Sequence, residues 1–139
     1  MTSNGKIGMM TFHASHNNGS MLQALALQHV LEDRFHQQTE LIDFSNRGQR
    51  NMYAPIPKPK NWKQAIKSFI WATNMKEMKR QYKAYEDFQK KYFHLSDRSY
   101  SDSSELVPLS DKYKAFITGS DQVWNIKCID ADDAYYLSF

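Results

Sequence analysis

One cysteine, five glycines and four prolines are all that this chain of 139 residues holds of those three types. A single thiol, Cys128, rules out an intrachain disulfide and fits a reducing compartment. Its one basic neighbour is Lys127, so a reactive thiolate is not expected there. No Cys/His cluster has metal-ligand spacing. The Gly-x-Gly-x-x-Gly fingerprint, the P-loop and the Gly-x-Ser-x-Gly elbow are all missing, which removes the usual signatures of dinucleotide, nucleoside triphosphate and α/β-hydrolase chemistry. No apolar run approaches the roughly 20 residues of a membrane span, and Ile7 to Phe12 is too short for the core of a signal peptide. The expected location is the cytoplasm, with peripheral contact at the inner membrane face as a further option. Internal repeats and long low-complexity segments are absent too.

The net charge of +3 hides an asymmetry. Residues 58 to 94 carry ten Lys or Arg against three Asp or Glu, a balance of +7 that leaves −4 for the remainder. Such a basic stretch can meet an anionic surface, or it can be the solvated face of a helix. Its aromatic residues fall opposite most of the charge. Nucleic-acid binding needs both on one exposed surface, so no nucleic-acid partner is expected.

The order of elements reads as α/β. Lys6 to Phe12 predicts a first strand, and a helix from Gly19 or Ser20 to about Phe35 follows, apolar nearly all round and so buried on more than one side. Thr39 to Phe44 alternates as a second strand would, completing a βαβ unit. Residues 45–60 form a loop in which Pro55, Pro57 and Pro59 block helix. Residues 61–94 show helical spacing twice, through Trp62 to Ile70 and through Met75 to Tyr92, as basic amphipathic helices. A polar loop spans Ser96 to Ser104, a helical turn lies within Leu106 to Tyr113, and Lys114 to Thr118 is the third strand. The tail from Asn125 is loop with one short element near Ala134 to Leu137. One Rossmann-like domain with a mostly parallel sheet is the expected fold.

Two polar turns stand out. After the first strand come His13, Asn17 and Gly19; after the third come Gly119, Ser120, Asp121, Gln122, Trp124 and Asn125. In open α/β sheets, ligands sit beyond the carboxyl ends of the strands. Amides beside an indole suit a sugar, which has hydroxyls and an apolar C–H face. His13 can exchange a proton near neutrality or simply cap its loop. Asn17 and Gly19 precede a helix N-terminus, which suits a phosphate or carboxylate, or they simply start a helix capped by Ser20 or Asn18, which is compatible with such a ligand. Gln23, an amide in an apolar helix, braces the Gly119 turn or reaches a ligand. Asp121 can orient or deprotonate a hydroxyl, or cap the next turn. Trp124 is a stacking platform or a core plug. His16 reads as a loop residue only.

Thr11-Phe12-His13, Asn17-Asn18-Gly19, Leu22-Gln23-Ala24-Leu25-Ala26-Leu27-Gln28 and Gly119-Ser120-Asp121-Gln122-Val123-Trp124-Asn125 together resemble the polysaccharide pyruvyl transferase family. Tyr135-Tyr136-Leu137-Ser138-Phe139 fits the aromatic stretch that follows in that family, and Asn18 departs from it by standing where an aromatic is usual. The resemblance implies the N-terminal half of a GT-B-type enzyme with two Rossmann-like halves. The activity implied is transfer of a pyruvyl group from phosphoenolpyruvate to a saccharide, free or lipid-linked, in exopolysaccharide biosynthesis. His13 and Asp121 are then the expected catalytic residues, with Asn17, Gly19, Gln23, Gly119, Ser120, Gln122, Trp124 and Asn125 binding substrate. No cofactor is implied beyond phosphoenolpyruvate as donor. Arg34, Arg47, Arg50, Arg80 and Arg98 all lie outside the two motifs, so this half is expected to hold the acceptor, to be inactive alone, and to leave the donor to a following half. A nucleotide-sugar glycosyltransferase and a non-catalytic module docking through its basic helices are the alternatives.

Overall fold

The computed structural model describes residues 5–46, 48, 75–119, 122–128 and 131–139. The predicted helix through Trp62 to Ile70, most of the Pro-rich loop, and the site residues Ser120 and Asp121 lie outside the described residues.

Three short strands form a parallel sheet: β1 (Ile7–Met10), β2 (Thr39–Leu41) and β3 (Ala115–Thr118), in the order β2-β1-β3. The α/β reading therefore holds. Helix α1 (Asn18–His29) connects β1 to β2 and runs on into a wider π-type turn, Val30–Arg34. Helix α2 (Met75–Tyr92) follows, and the chain after it runs beside β2, bridged at Leu41–Leu95 and Phe44–Tyr100. Short 3₁₀ turns at Ser103–Leu109, Gln122–Trp124 and Asp133–Tyr136 complete the described elements.

Side chains alternate across the sheet with period two. Ile7, Met9 and Leu41 point to the face packed by Met21, Ala24 and Leu31 of the α1 segment and by Phe93 at the end of α2. Met10, Phe12, Ile42 and Phe44 point to the other face, where Tyr100, Leu106, Leu109, Tyr113, Val123, Ala134 and Tyr135 close a second core. Phe12 and Phe44 meet the Tyr135 ring edge-on at 4.7 and 5.5 Å. Both faces are thus covered, as parallel sheets require.

Two expectations need correction. Helix α1 is buried on one side only, through Met21, Ala24 and Gln28, while Leu22 is 59% exposed. Its second apolar side borders a groove shared with Tyr85 and Phe88 of α2 and meets no third layer among the described residues. The cap of α1 is Asn17, whose Oδ1 accepts from the N–H groups of Gly19 and Ser20 at 2.8 and 3.3 Å. The cap is therefore Asn17, not Ser20 or Asn18, and it satisfies the N–H groups of Gly19 and Ser20.

Candidate functional site

All three strands end at one edge, where Gly119, at the start of the second polar turn, meets the end of β1 and Gln23 of α1. The Gly119 N–H donates to the Met10 carbonyl at 2.8 Å, carrying the β3–β1 pairing past the last strand residue. The Gln23 amide presses against Gly119 so closely that a Cβ at that position would stand 2.7 Å from Gln23 Nε2 and 2.7 Å from the Thr11 methyl. Gln23 therefore braces the turn. Thr11 Oγ1 and Gln23 Oε1 are buried there with no hydrogen-bond partner. An unsatisfied buried acceptor or hydroxyl costs about 1–3 kcal/mol.

His13 departs from its expected place. It is fully buried and does not stand at the rim. Its Nδ1 lies 3.2 Å from the Thr11 carbonyl and its Nε2 lies 3.1 Å from Asp43 Oδ1. Both partners are acceptors, so the neutral ring donates to one and the protonated ring to both. Phe93 packs edge-on against it at 6.3 Å. Its partner Asp43 is 24% exposed. Ser99 donates to the other carboxylate oxygen of Asp43.

Asp43 opens on a cavity of about 350 Å³ between the carboxyl edge of β1–β2 and helix α2. Its far wall is His16, Tyr82, Glu86 and Gln89. Glu86 Oε1 holds His16 Nε2 at 3.0 Å. The His16 ring is stacked on Tyr85 at 5.3 Å and met edge-on by Tyr82 at 4.3 Å. Gln89 Nε2 donates to the His13 carbonyl at 3.3 Å, and Tyr85 donates to Asn18 Oδ1 at 3.0 Å. These bonds clamp α2 to the loop after β1. Two acid–imidazole pairs thus face one polar space.

The remaining predicted residues lie elsewhere. Gln122, Trp124 and Asn125 sit in a turn anchored through Val123 in the core on the opposite face of the sheet from His13. Gln122 Oε1 accepts from Asn125 Nδ2 and Cys128 Sγ, both at 3.3 Å. Asn125 Oδ1 accepts from the Lys127 N–H. Trp124 is 54% exposed, and its carbonyl accepts from the Tyr136 hydroxyl. The structure brings Gly119 and Gln23 together, keeps Asn17 and Gly19 at the head of α1, and sets His13 apart from the indole.

The sequence does not single out Asp43 or Glu86, and His16, expected to be a loop residue only, packs against Tyr82 and Tyr85 and bonds to Glu86. Asp43 was findable: it follows β2 as His13 follows β1, and the rule about strand ends applies to both. His16 and Glu86 are far apart in sequence, and only the packing of α2 joins them. Among the described residues, no group of three or more His, Cys, Asp or Glu side chains is placed to hold a metal ion. No described helix is long and apolar enough to cross a membrane. Comparison with protein-family profiles, with curated proteins and with solved structures gave no match.

Proposed function

We propose that the chain is the acceptor-binding domain of a pyruvyl transferase-like enzyme of GT-B type, acting on a free or lipid-linked saccharide. In the reaction, two sugar hydroxyls add to C2 of phosphoenolpyruvate. One hydroxyl proton ends on C3, which becomes the ketal methyl, and the other leaves with phosphate. Such chemistry needs a base near the sugar hydroxyls and a cationic cradle for the donor. Acid–imidazole pairs at a sheet's carboxyl edge suit the first need. Among the described residues, the arginines are Arg34, Arg80 and Arg98, none in either polar turn, which favours a donor site elsewhere.

The observation that carries this reading is the meeting of two sequence motifs at one edge, with Gln23 against Gly119 and Gly119 bonded to Met10. Thermal unfolding with added ligands tests it, because a ligand that binds only the folded chain raises its stability. Neutral saccharides are expected to raise the midpoint, and phosphoenolpyruvate and nucleotide sugars to leave it in place. Stabilisation by a nucleotide sugar would favour a glycosyltransferase. Stabilisation by phosphoenolpyruvate alone would put the donor in this domain and overturn the acceptor reading.

A further inference from the structure

We infer that the saccharide ring binds in the cavity between Asp43 and helix α2, and not against Trp124. This deepens the acceptor reading and rests on it. The cavity, about 350 Å³, falls within the range of small-ligand sites, roughly 300–1,000 Å³. Its wall offers two carboxylates (Asp43 and Glu86), the Ser99 hydroxyl, the Gln89 amide and the Tyr82 phenol ring. Carboxylates accept hydrogen bonds and cannot donate them, so they select a ligand rich in hydroxyl donors. The Tyr82 ring supplies an apolar surface for the C–H face of a pyranose.

The carboxylates are held before any ligand arrives. Buried His13 fixes Asp43 at 3.1 Å, and His16, set between Tyr82 and Tyr85, fixes Glu86 at 3.0 Å. Rigid acceptors lower the ordering cost of binding. His13 acts through Asp43 and is a positioning residue. Among the described residues, the side-chain hydrogen bonds of Gln122 and Asn125 run within residues 122–128, and the Trp124 carbonyl accepts from the Tyr136 hydroxyl.

The test is titration of the full chain with methyl β-D-galactopyranoside and methyl β-D-glucopyranoside, followed by amide chemical shifts. At least one glycoside is expected to shift residues 14–16, 43–45 and 82–89. Glu86→Gln and Asp43→Asn each remove a charged acceptor and are expected to weaken binding about tenfold, and Trp124→Ala to change it less than twofold. Glu86 lies on the helix surface, so its variant keeps the test valid if Asp43→Asn unfolds. Binding that survives Glu86→Gln and is lost in Trp124→Ala would overturn the cavity assignment while leaving the acceptor reading intact. Shifts with phosphoenolpyruvate and none with either glycoside would overturn both.

Discussion

Glu40 and Asp43 stand three positions apart on the same extended segment, yet their surroundings differ. The alternation of a strand puts them on opposite faces of the sheet. Glu40 points to the aromatic face and is 5% exposed, where Lys6 and Lys112 pair with its two oxygens at 2.6 and 2.7 Å and the Tyr113 hydroxyl donates at 2.6 Å. Burial pushes its carboxyl up, but hydrogen bonds from Lys112, Lys6 and Tyr113 outweigh that and hold it at about 2. Its own burial and its hydrogen bond to the Glu40 carboxylate push the Tyr113 phenol up, outweighing Lys112, which lowers it. Asp43 points to the helical face and is backed by a buried imidazole and a serine hydroxyl, with one side on a cavity. An acid enclosed by fixed cations is locked in place and serves stability. An acid held by hydrogen bonds at the wall of a polar cavity can also meet a ligand.

The largest effect expected from breaking this contrast is at Glu40. Glu40→Gln removes a buried charge from two lysines and is expected to cost about 2–3 kcal/mol in chemical denaturation. The pH dependence follows from the lowered carboxyl. Its pairing contributes fully above the ordinary value of 4.5 and is lost as pH falls towards about 2. The native chain is expected to lose up to about 3 kcal/mol across that window from this group. Glu40→Gln is expected to flatten that part of the profile, and an unchanged acid limb would deny Glu40 its role.

A middling effect belongs to the edge itself. Gly119→Ala places a methyl against Thr11 and Gln23 and is expected to cost about 1–2 kcal/mol. Gln23 can swing aside, whereas the Thr11 methyl is held at the end of β1. Adding Thr11→Ser, which keeps the hydroxyl and removes the methyl, is expected to recover part of the loss. Equal costs in both Thr11 backgrounds would mean that the turn is not wedged there.

The smallest effect is expected where an acid is neither buried nor beside the cavity. Asp102 and Glu105 form a capping box on the turn Ser103–Leu109, and backbone hydrogen bonds from Ser101 and Asp102 hold the Glu105 carboxyl below its ordinary value. Asp102→Ala is expected to cost about 1 kcal/mol and to leave ligand binding unchanged. A larger loss than at Glu40 would invert the ranking of these acids.

How much of this could be read from the chain follows from how local each signal is. The strands and α1 were legible because their apolar period and polar turns lie within a few residues. So was the contact of Gly119 with the end of β1, since parallel strands end at one edge; a pocket shared by His13 and Trp124 was not, because the turn Gln122–Trp124 is anchored on the other face of the sheet. The one-sided burial of α1 was not, because an apolar circumference does not say how many layers will cover it. His13 was placed at the right edge but at the wrong depth: the next strand over supplied a partner that enclosed it. The cavity wall of His16 and Glu86 rests on a packing contact that no local spacing encodes.

The contrast between the two acids is tested most directly by measuring saccharide affinity and unfolding free energy side by side for Glu40→Gln and Asp43→Asn. Asp43→Asn keeps an oxygen for His13 and is expected to lose about 1 kcal/mol of stability while binding falls about tenfold. Glu40→Gln is expected to lose more stability and to bind the glycoside as the native chain does. Native affinity in Asp43→Asn together with lost affinity in a folded Glu40→Gln would contradict the division of roles.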